Sequence, residues 1–403
     1  MGLDYLAWTR LLAEERLPAA IVDLDAVDAN LSAIVSALDG TALTVRVASK
    51  SIRHPGLLRT LLDRGAPRLR GLMTFSAHEA AALASDGFDD LLMGYPVARR
   101  LDADVLARLV AEGVDVTAMV DLPEHCDLLE AAGAAAGVVV PCCVDVDVSW
   151  RLLGGRVHLG VRRSAVRSAA DALALAQHVA RRCPHVRLRG MMAYEAAVAS
   201  MREVNPESRA LDPVRRLIRA GSKPVAAGLR GEVRRTLAAA GFTLEVVNGG
   251  GTGSLRSTVR DGSLTEVTVG SGFLCPHLFD GVEGLALEPA AFFALPICRR
   301  SDPDHLTCLG GGYVASGEVG ADRAPRVHLP EGIEQVAVEG WGEVQTAFRV
   351  IDRGLLLAVG DPIICRHAKA GELAERFGEV LLVRGGAVVD RQPTWRGRGL
   401  TFM

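Results

Sequence analysis

The sequence predicts an α/β protein: a TIM-type (β/α)8 barrel followed by a mostly-β domain. Three observations carry this. From about residue 19 to 270, apolar runs of strand length alternate with amphipathic segments of helix length. The runs are short and nearly all apolar, as strands buried on both faces are. About eight β-then-α units over about 250 residues suit a closed barrel, with a doubly wound sheet as runner-up.

Taken in order, Leu3–Leu12 reads as a short amphipathic helix that packs on the β domain. Strands are expected at Ala19–Leu24, Thr44–Ala48, Gly71–Thr74, Asp90–Met93, Val114–Val120, Gly137–Val146, Leu188–Met192, Thr243–Val247 and Leu264–Val269. Helices between them include Ala26–Leu38, Pro55–Asp63, Ser76–Ser85, Ala98–Glu112, Glu124–Ala135, Ser168–Arg182 and Gly228–Ala240. After Gly270 helical periodicity fades. Strand-like pieces follow at Ala291–Cys298, Leu306–Gly310, Gln335–Val338, Val344–Val350, Pro362–His367 and Val380–Arg384, with Ser316–Arg326 as a surface loop. The expected division is an N-terminal segment 1–18, a barrel over 19–270 and a β domain over 271–403.

Composition excludes several classes. Aromatic content of 4% and a net charge of −3 argue against nucleic acid as a partner. No apolar stretch is long enough to span a bilayer. The eight cysteines form no CxxC pair, so a zinc knuckle is not expected, and scattered cysteines in a large α/β chain read as reduced and cytoplasmic. Asp4, Glu14 and Glu15 near the start do not fit a signal-peptide layout.

Two stretches carry chemistry. Leu43-Thr-Val-Arg-Val-Ala-Ser-Lys50-Ser puts a lysine at the end of a buried strand. Desolvation there favours the neutral amine, which attacks aldehydes and forms Schiff bases. Val246-Val-Asn-Gly-Gly-Gly-Thr-Gly-Ser254 is a glycine run whose backbone N–H groups suit a phosphate. It lacks the Lys-Ser or Lys-Thr of a P-loop. Both stretches fall at strand C-terminal ends, where barrels keep their sites. A phosphorylated aldehyde held at both ends fits, and pyridoxal 5′-phosphate (PLP) is such a cofactor.

The chain also resembles a fold-type III PLP enzyme, with an alanine-racemase-like barrel and a C-terminal β domain. More closely, it resembles the D-threonine aldolase and D-serine dehydratase group and the bacterial amino acid deaminase/aldolase proteins. The resemblance rests on Ala20-Ile-Val-Asp-Leu-Asp25, Arg46-Val-Ala-Ser-Lys50-Ser, His158-Leu-Gly-Val-Arg162-Arg-Ser, Met192-Ala-Tyr194-Glu195-Ala, Asn248-Gly-Gly-Gly-Thr-Gly-Ser254, Gly340-Trp-Gly-Glu343-Val-Gln345-Thr and Arg366-His367-Ala-Lys369-Ala-Gly-Glu372. It implies that Lys50 is the Schiff-base lysine and that Gly250, Gly251, Thr252 and Gly253, with Asn248 beside them, hold the phosphate. It implies a homodimer acting on a small amino acid.

Other residues are placed on both grounds. Arg46 shares a strand face with Ala48 and Lys50. It either lowers the Lys50 pKa by like-charge repulsion or pairs with Asp23 or Asp25. Tyr194 is expected against the cofactor ring and is a catalytic candidate. In the racemase pattern an arginine near His158 meets the ring; here that place holds histidine, so His158 and Arg162 are cofactor candidates. The group's metal site is His-x-Cys or His-x-Asp, and its aldolases carry a histidine where this chain has Ala48. Here His367 is followed by Lys369, a poor metal ligand unless deprotonated. His367 and Lys369 are acid/base candidates, His367 is a candidate metal ligand, and the presence of a divalent metal stays open. An extended chain would put Cys365 on their face as well.

The function so implied is a PLP-dependent lyase acting on β-hydroxy-D-amino acids, by retro-aldol cleavage or by dehydration with deamination. The alternatives are an amino acid racemase, for which Tyr313 is the one candidate base in the β domain, and a non-catalytic PLP-binding protein. A metal-dependent barrel hydrolase is disfavoured because no two of the ten histidines form an HxH pair.

Overall fold

The computed structural model describes residues 3–199, 209–280, 284–317 and 320–402. Eight parallel strands close into a barrel: Thr44–Ala48, Leu69–Thr74, Leu91–Pro96, Val116–Val120, Val140–Asp145, Val186–Ala193, Val246–Gly249 and Glu266–Val269. The last strand closes the ring on the first, Val267 opposite Val45 and Val269 opposite Val47. Most of these strands are buried on both faces, as their apolar sequences require.

Local signals start and stop the surrounding helices. Ser76 Oγ accepts Glu79 N at 3.1 Å, and Ser168 Oγ accepts Asp171 N at 3.1 Å, each capping a helix N-terminus. Gly137, at φ +69°, ends the Pro123–Ala136 helix in the left-handed conformation. The last long helix runs over Asp212–Ala239, well before the expected Gly228. Its buried stripe includes Arg219, Ser222 and Arg230, polar residues at inward positions that an apolar reading does not mark.

The Ala19–Asp23 strand does not join the barrel, although its apolar pattern is in series with the barrel strands. It lies inside a nine-stranded sheet, antiparallel to Ala291–Asp302 and parallel to Glu379–Arg384. An apolar strand buried on both faces looks the same in sequence whichever sheet takes it. The N-terminal helix Tyr5–Leu11 packs on this sheet: Trp8 meets Phe292 edge-on at 5.4 Å, within a cluster that includes Leu12, Ile21 and Leu381. The strands Arg326–Leu329 and Ala387–Pro393 add to those expected. Residues 318–319 of the expected 316–326 loop lie outside the described residues.

Candidate active site at the barrel mouth

Lys50 leaves the Thr44–Ala48 strand in the short turn Ser49–Ser51. Ser49 is buried and fixes that turn, its Oγ 2.9 Å from the Met73 carbonyl and 2.8 Å from Glu79 Oε2. The Lys50 side chain is exposed, not desolvated as its strand suggested. Its Nζ donates to Tyr95 Oη at 2.8 Å. Burial pushes the Tyr95 phenol up, but the charge and hydrogen bond of Lys50, with Arg163, outweigh it and leave the phenol lowered. The Arg163 guanidinium lies 5.9 Å from the Tyr95 ring centre.

Asp145 ends a barrel strand nearby and is pushed up to about 7 by burial and then by Asp121, with Arg163 opposing. Asp121 itself pairs with His125 at 2.9 Å. Lys50, Tyr95, Asp121 and Asp145 thus end four strands of one barrel mouth, where a barrel's strand ends converge on a ligand. Sequence reasoning missed Tyr95, Arg163 and Asp145. The available signal was position: Tyr95 and Asp145 stand at the ends of apolar strands. Arg162, the expected arginine, is exposed, and its neighbour Arg163 reaches Tyr95 instead.

The glycine turn follows the Val246–Gly249 strand. Gly250 has φ +81° and donates its N–H to Glu195 Oε2 at 3.0 Å. Gly251 N donates to Ser254 Oγ at 3.0 Å. These two N–H groups are therefore committed within the protein. Thr252 and Gly253 open the helical turn Thr252–Ser254, where N–H groups lack intrahelical acceptors. The turn is tightly packed: a Cβ on Gly253 would lie 2.3 Å from the Ala199 carbonyl, and one on Gly251 3.1 Å from the Tyr194 ring. Of this turn, the Thr252 and Gly253 N–H groups are the ones that could meet a phosphate, and the half-buried Tyr194 ring lies beside Gly251.

A buried ionic network braces the turn from behind. Glu195 accepts from Arg230 at 2.9 Å and from Thr258 as well as from Gly250. Arg230 also pairs with Asp261, and Arg219 donates to the Gly253 carbonyl at 2.9 Å. Both arginines come from the inward polar face of the Asp212–Ala239 helix.

Three expected contacts fall elsewhere. Arg46 is closed by Glu266 at 2.7 Å and Asp90 at 2.8 Å, so its charge is neutralised inside the barrel rather than by Asp23 or Asp25. Asp23 instead caps the next helix. Asn248 is occupied at both ends, donating to Glu266 at 2.7 Å and accepting from Thr268 at 3.1 Å. His158 lies on a two-stranded hairpin, its Nε2 3.2 Å from the Val161 carbonyl.

The C-terminal motif meets Lys50 within the same chain. Gly371, at φ +85°, passes so close that a Cβ would sit 2.0 Å from the Lys50 carbonyl oxygen. Arg53 ties the two segments, donating to the Lys50 carbonyl at 3.2 Å and pairing with Glu375 at 2.8 Å. His367, Lys369 and Tyr313 line a cavity of about 270 Å³ with Glu372 and Arg376. His367 is buried, neither ring nitrogen makes a hydrogen bond of good geometry among the described residues, and burial, then Arg366 and His277, bring it down to about 3. Cys365 does not join this cavity, because its strand ends at Arg366 and its side chain lies in the apolar core. Lys369 pairs with Glu372 at 3.3 Å and donates to Ser316 Oγ at 3.0 Å.

This set does not fit the divalent metal of the aldolase and dehydratase group. His367 offers one neutral donor, and the residue two positions on brings an ammonium that repels a cation. The lysine and the glycine cradle do fit PLP.

Residues 22–248 match the family described as alanine racemase, N-terminal domain. The chain is 26% identical over 354 residues to the D-threonine aldolase of Arthrobacter sp, covering 86% of this chain and 85% of that protein. It is 26% identical over 259 residues to the 3-hydroxy-D-aspartate aldolase of Paracoccus denitrificans (strain Pd 1222), covering 64% of this chain and 60% of that protein. The crystal structure of D-threonine aldolase from Filomicrobium marinum shares the fold, with a TM-score of 0.79 at 22% identity over 96% of both chains. D-threo-3-hydroxyaspartate dehydratase from Delftia sp. HT23 shares it too, with a TM-score of 0.74 at 18% identity, over 97% of this chain and 99% of that one. With the family match spanning more than half its length, and with a mouth lysine and a glycine cradle suited to PLP, this chain belongs to the alanine racemase N-terminal domain family.

Proposed function

We propose that this protein is a PLP-dependent lyase that cleaves or dehydrates β-hydroxy-D-amino acids. The observation that carries the reading is the close approach of Gly371 to the Lys50 carbonyl, which packs the segment carrying His367 and Lys369 against the Lys50 turn. The names of the sequence relatives support the substrate class.

When bound, PLP supplies an electron sink that weakens the bonds at the substrate Cα. The chain supplies the rest. Lys50 would hold the aldehyde end, and the Thr252–Gly253 turn would hold the phosphate. Tyr194 flanks the ring. Tyr95 hydrogen-bonds Lys50 Nζ and holds a proton within its reach. Asp145, poised near neutrality, exchanges a proton with a substrate group at the mouth. His367, kept neutral by burial, lines the cavity as a hydrogen-bond acceptor for the substrate β-hydroxyl. Lys369 supplies positive charge where the relatives' group uses a metal. A racemase needs a second base, and Tyr313 suits that poorly: burial raises its phenol, and its ring is wedged between Phe293 and Phe377 at 5.0 and 5.3 Å.

The protein works as a cytoplasmic homodimer in this reading. Eight free cysteines support a reducing compartment. The test is incubation of PLP-loaded protein with D-threonine, D-serine and D-3-hydroxyaspartate. Glycine plus an aldehyde, or an oxo acid plus ammonia, supports the reading. Neither product from the whole panel overturns it, and alanine enantiomer exchange in its place assigns a racemase.

A further inference from the structure

The cysteine spacing shows no metal motif, yet the fold assembles one. Asp127 lies on the Pro123–Ala136 helix, and His178 and Cys183 lie at the end of the neighbouring Ala169–Arg182 helix. His178 Nε2 is 2.8 Å from Asp127 Oδ1, and Cys183 Sγ is 3.9 Å from the same oxygen. All three donor atoms lie within 4.8 Å of one another. Ligands that share a tetrahedral zinc, at roughly 2.0–2.3 Å from the ion, stand about 3.3–3.6 Å apart, so the Asp127–His178 hydrogen bond must open and Cys183 draw in by about half an ångström each to admit the ion. We infer that Asp127, His178 and Cys183 form a binding site for a zinc-class divalent cation, away from the barrel mouth.

Three features favour a cation there. The site lies at a helix C-terminus, where the backbone dipole attracts positive charge. Asp127 and Glu130 add negative charge, and Glu130 is already held by His185 at 2.8 Å. Thiolate, imidazole and carboxylate together are the donor set of zinc rather than of calcium or magnesium. Cys183 Sγ is buried and Asp127 is 61% exposed, so one side is closed by protein and the other is open to a water as fourth ligand. Binding forms an S–metal bond and breaks the S–H bond, releasing one proton to solvent per ion bound. The ion would staple two outer helices of the barrel. Nothing in this requires PLP or lyase activity.

The test is a titration of chelator-treated full-length protein with Co²⁺, a spectroscopic stand-in for zinc, reading its visible d–d bands. A zinc titration by calorimetry in buffers of different ionisation enthalpy counts the protons released. One saturable equivalent is expected, with tetrahedral d–d bands, proton release near one, and a zinc-dependent rise in melting temperature. Cys183→Ser should abolish the thiolate-to-cobalt charge transfer. His178→Ala, at a half-buried position tolerant of truncation, should weaken zinc at least about tenfold. No saturable equivalent in the wild type overturns the site. So does an unchanged affinity in His178→Ala, a readout that stands even if Cys183→Ser fails to fold.

Discussion

The Lys50 ammonium donates to the Tyr95 phenol across 2.8 Å, and both end barrel strands at one mouth. In the proposed mechanism Tyr95 is the proton partner of Lys50, the amine proposed to carry the cofactor. Tyr95→Phe removes the hydroxyl and keeps the ring. We expect the cofactor's visible band to persist while kcat falls on the order of 10²-fold. Spectrum and steady-state kinetics on one preparation check this. Unchanged kcat would remove Tyr95 from the chemistry.

Asp145 is pushed up to about 7, so it changes charge within the working pH range. Asp145→Asn is expected to flatten the limb of the kcat/KM profile near neutrality and leave the other limb in place. A profile measured on both proteins decides it.

The cradle gives a binding prediction. A Cβ at Gly253 would press on the Ala199 carbonyl at 2.3 Å. Gly253→Ala is therefore expected to weaken PLP at least about tenfold, or about 1.4 kcal/mol, with Lys50 intact. Spectral titration of stripped protein with PLP reads it out.

Glu79 gives a stability prediction. Its carboxyl is buried and pushed up to about 7 from 4.5, by desolvation against hydrogen bonds from Phe75 and Ser49. Because the folded value is raised, its contribution is full below about 4.5 and is lost as pH rises through about 7. The melting temperature should fall over that window in the wild type and fall less in Glu79→Gln. The upper bound of the effect is roughly 3 kcal/mol.

Lys369 gives a cofactor prediction. Its ammonium, paired with Glu372 at 3.3 Å, lines the same cavity as the buried His367. Lyase activity should survive exhaustive treatment with a chelator, and added Mn²⁺ or Zn²⁺ should not raise it. Loss of turnover on chelation, restored by metal, would contradict this.

The fold was legible where a single period repeats. The barrel strands from Thr44–Ala48 onward are apolar runs between amphipathic helices, and burial on both faces writes that pattern directly. Ala19–Asp23 carries the same pattern but pairs with Ala291–Asp302, because burial does not record which sheet does the burying. At the proposed site, Lys50 and the glycine turn stand out in the sequence because the chemistry proposed for them restricts residue type. Tyr95, Arg163 and Asp145 carry no motif and matter only through convergence in space. Arg46 and Asn248 look like site residues in sequence, yet Glu266 bonds both within the barrel.

The most direct test of the account is borohydride reduction of the PLP-loaded protein, then proteolysis and mass mapping of the pyridoxyl group. The chain has only three lysines, Lys50, Lys223 and Lys369, so the label has few places to go. The account predicts the label on Lys50 and its loss in Lys50→Ala. A label on Lys369 or Lys223, or none after full loading with PLP, would contradict it.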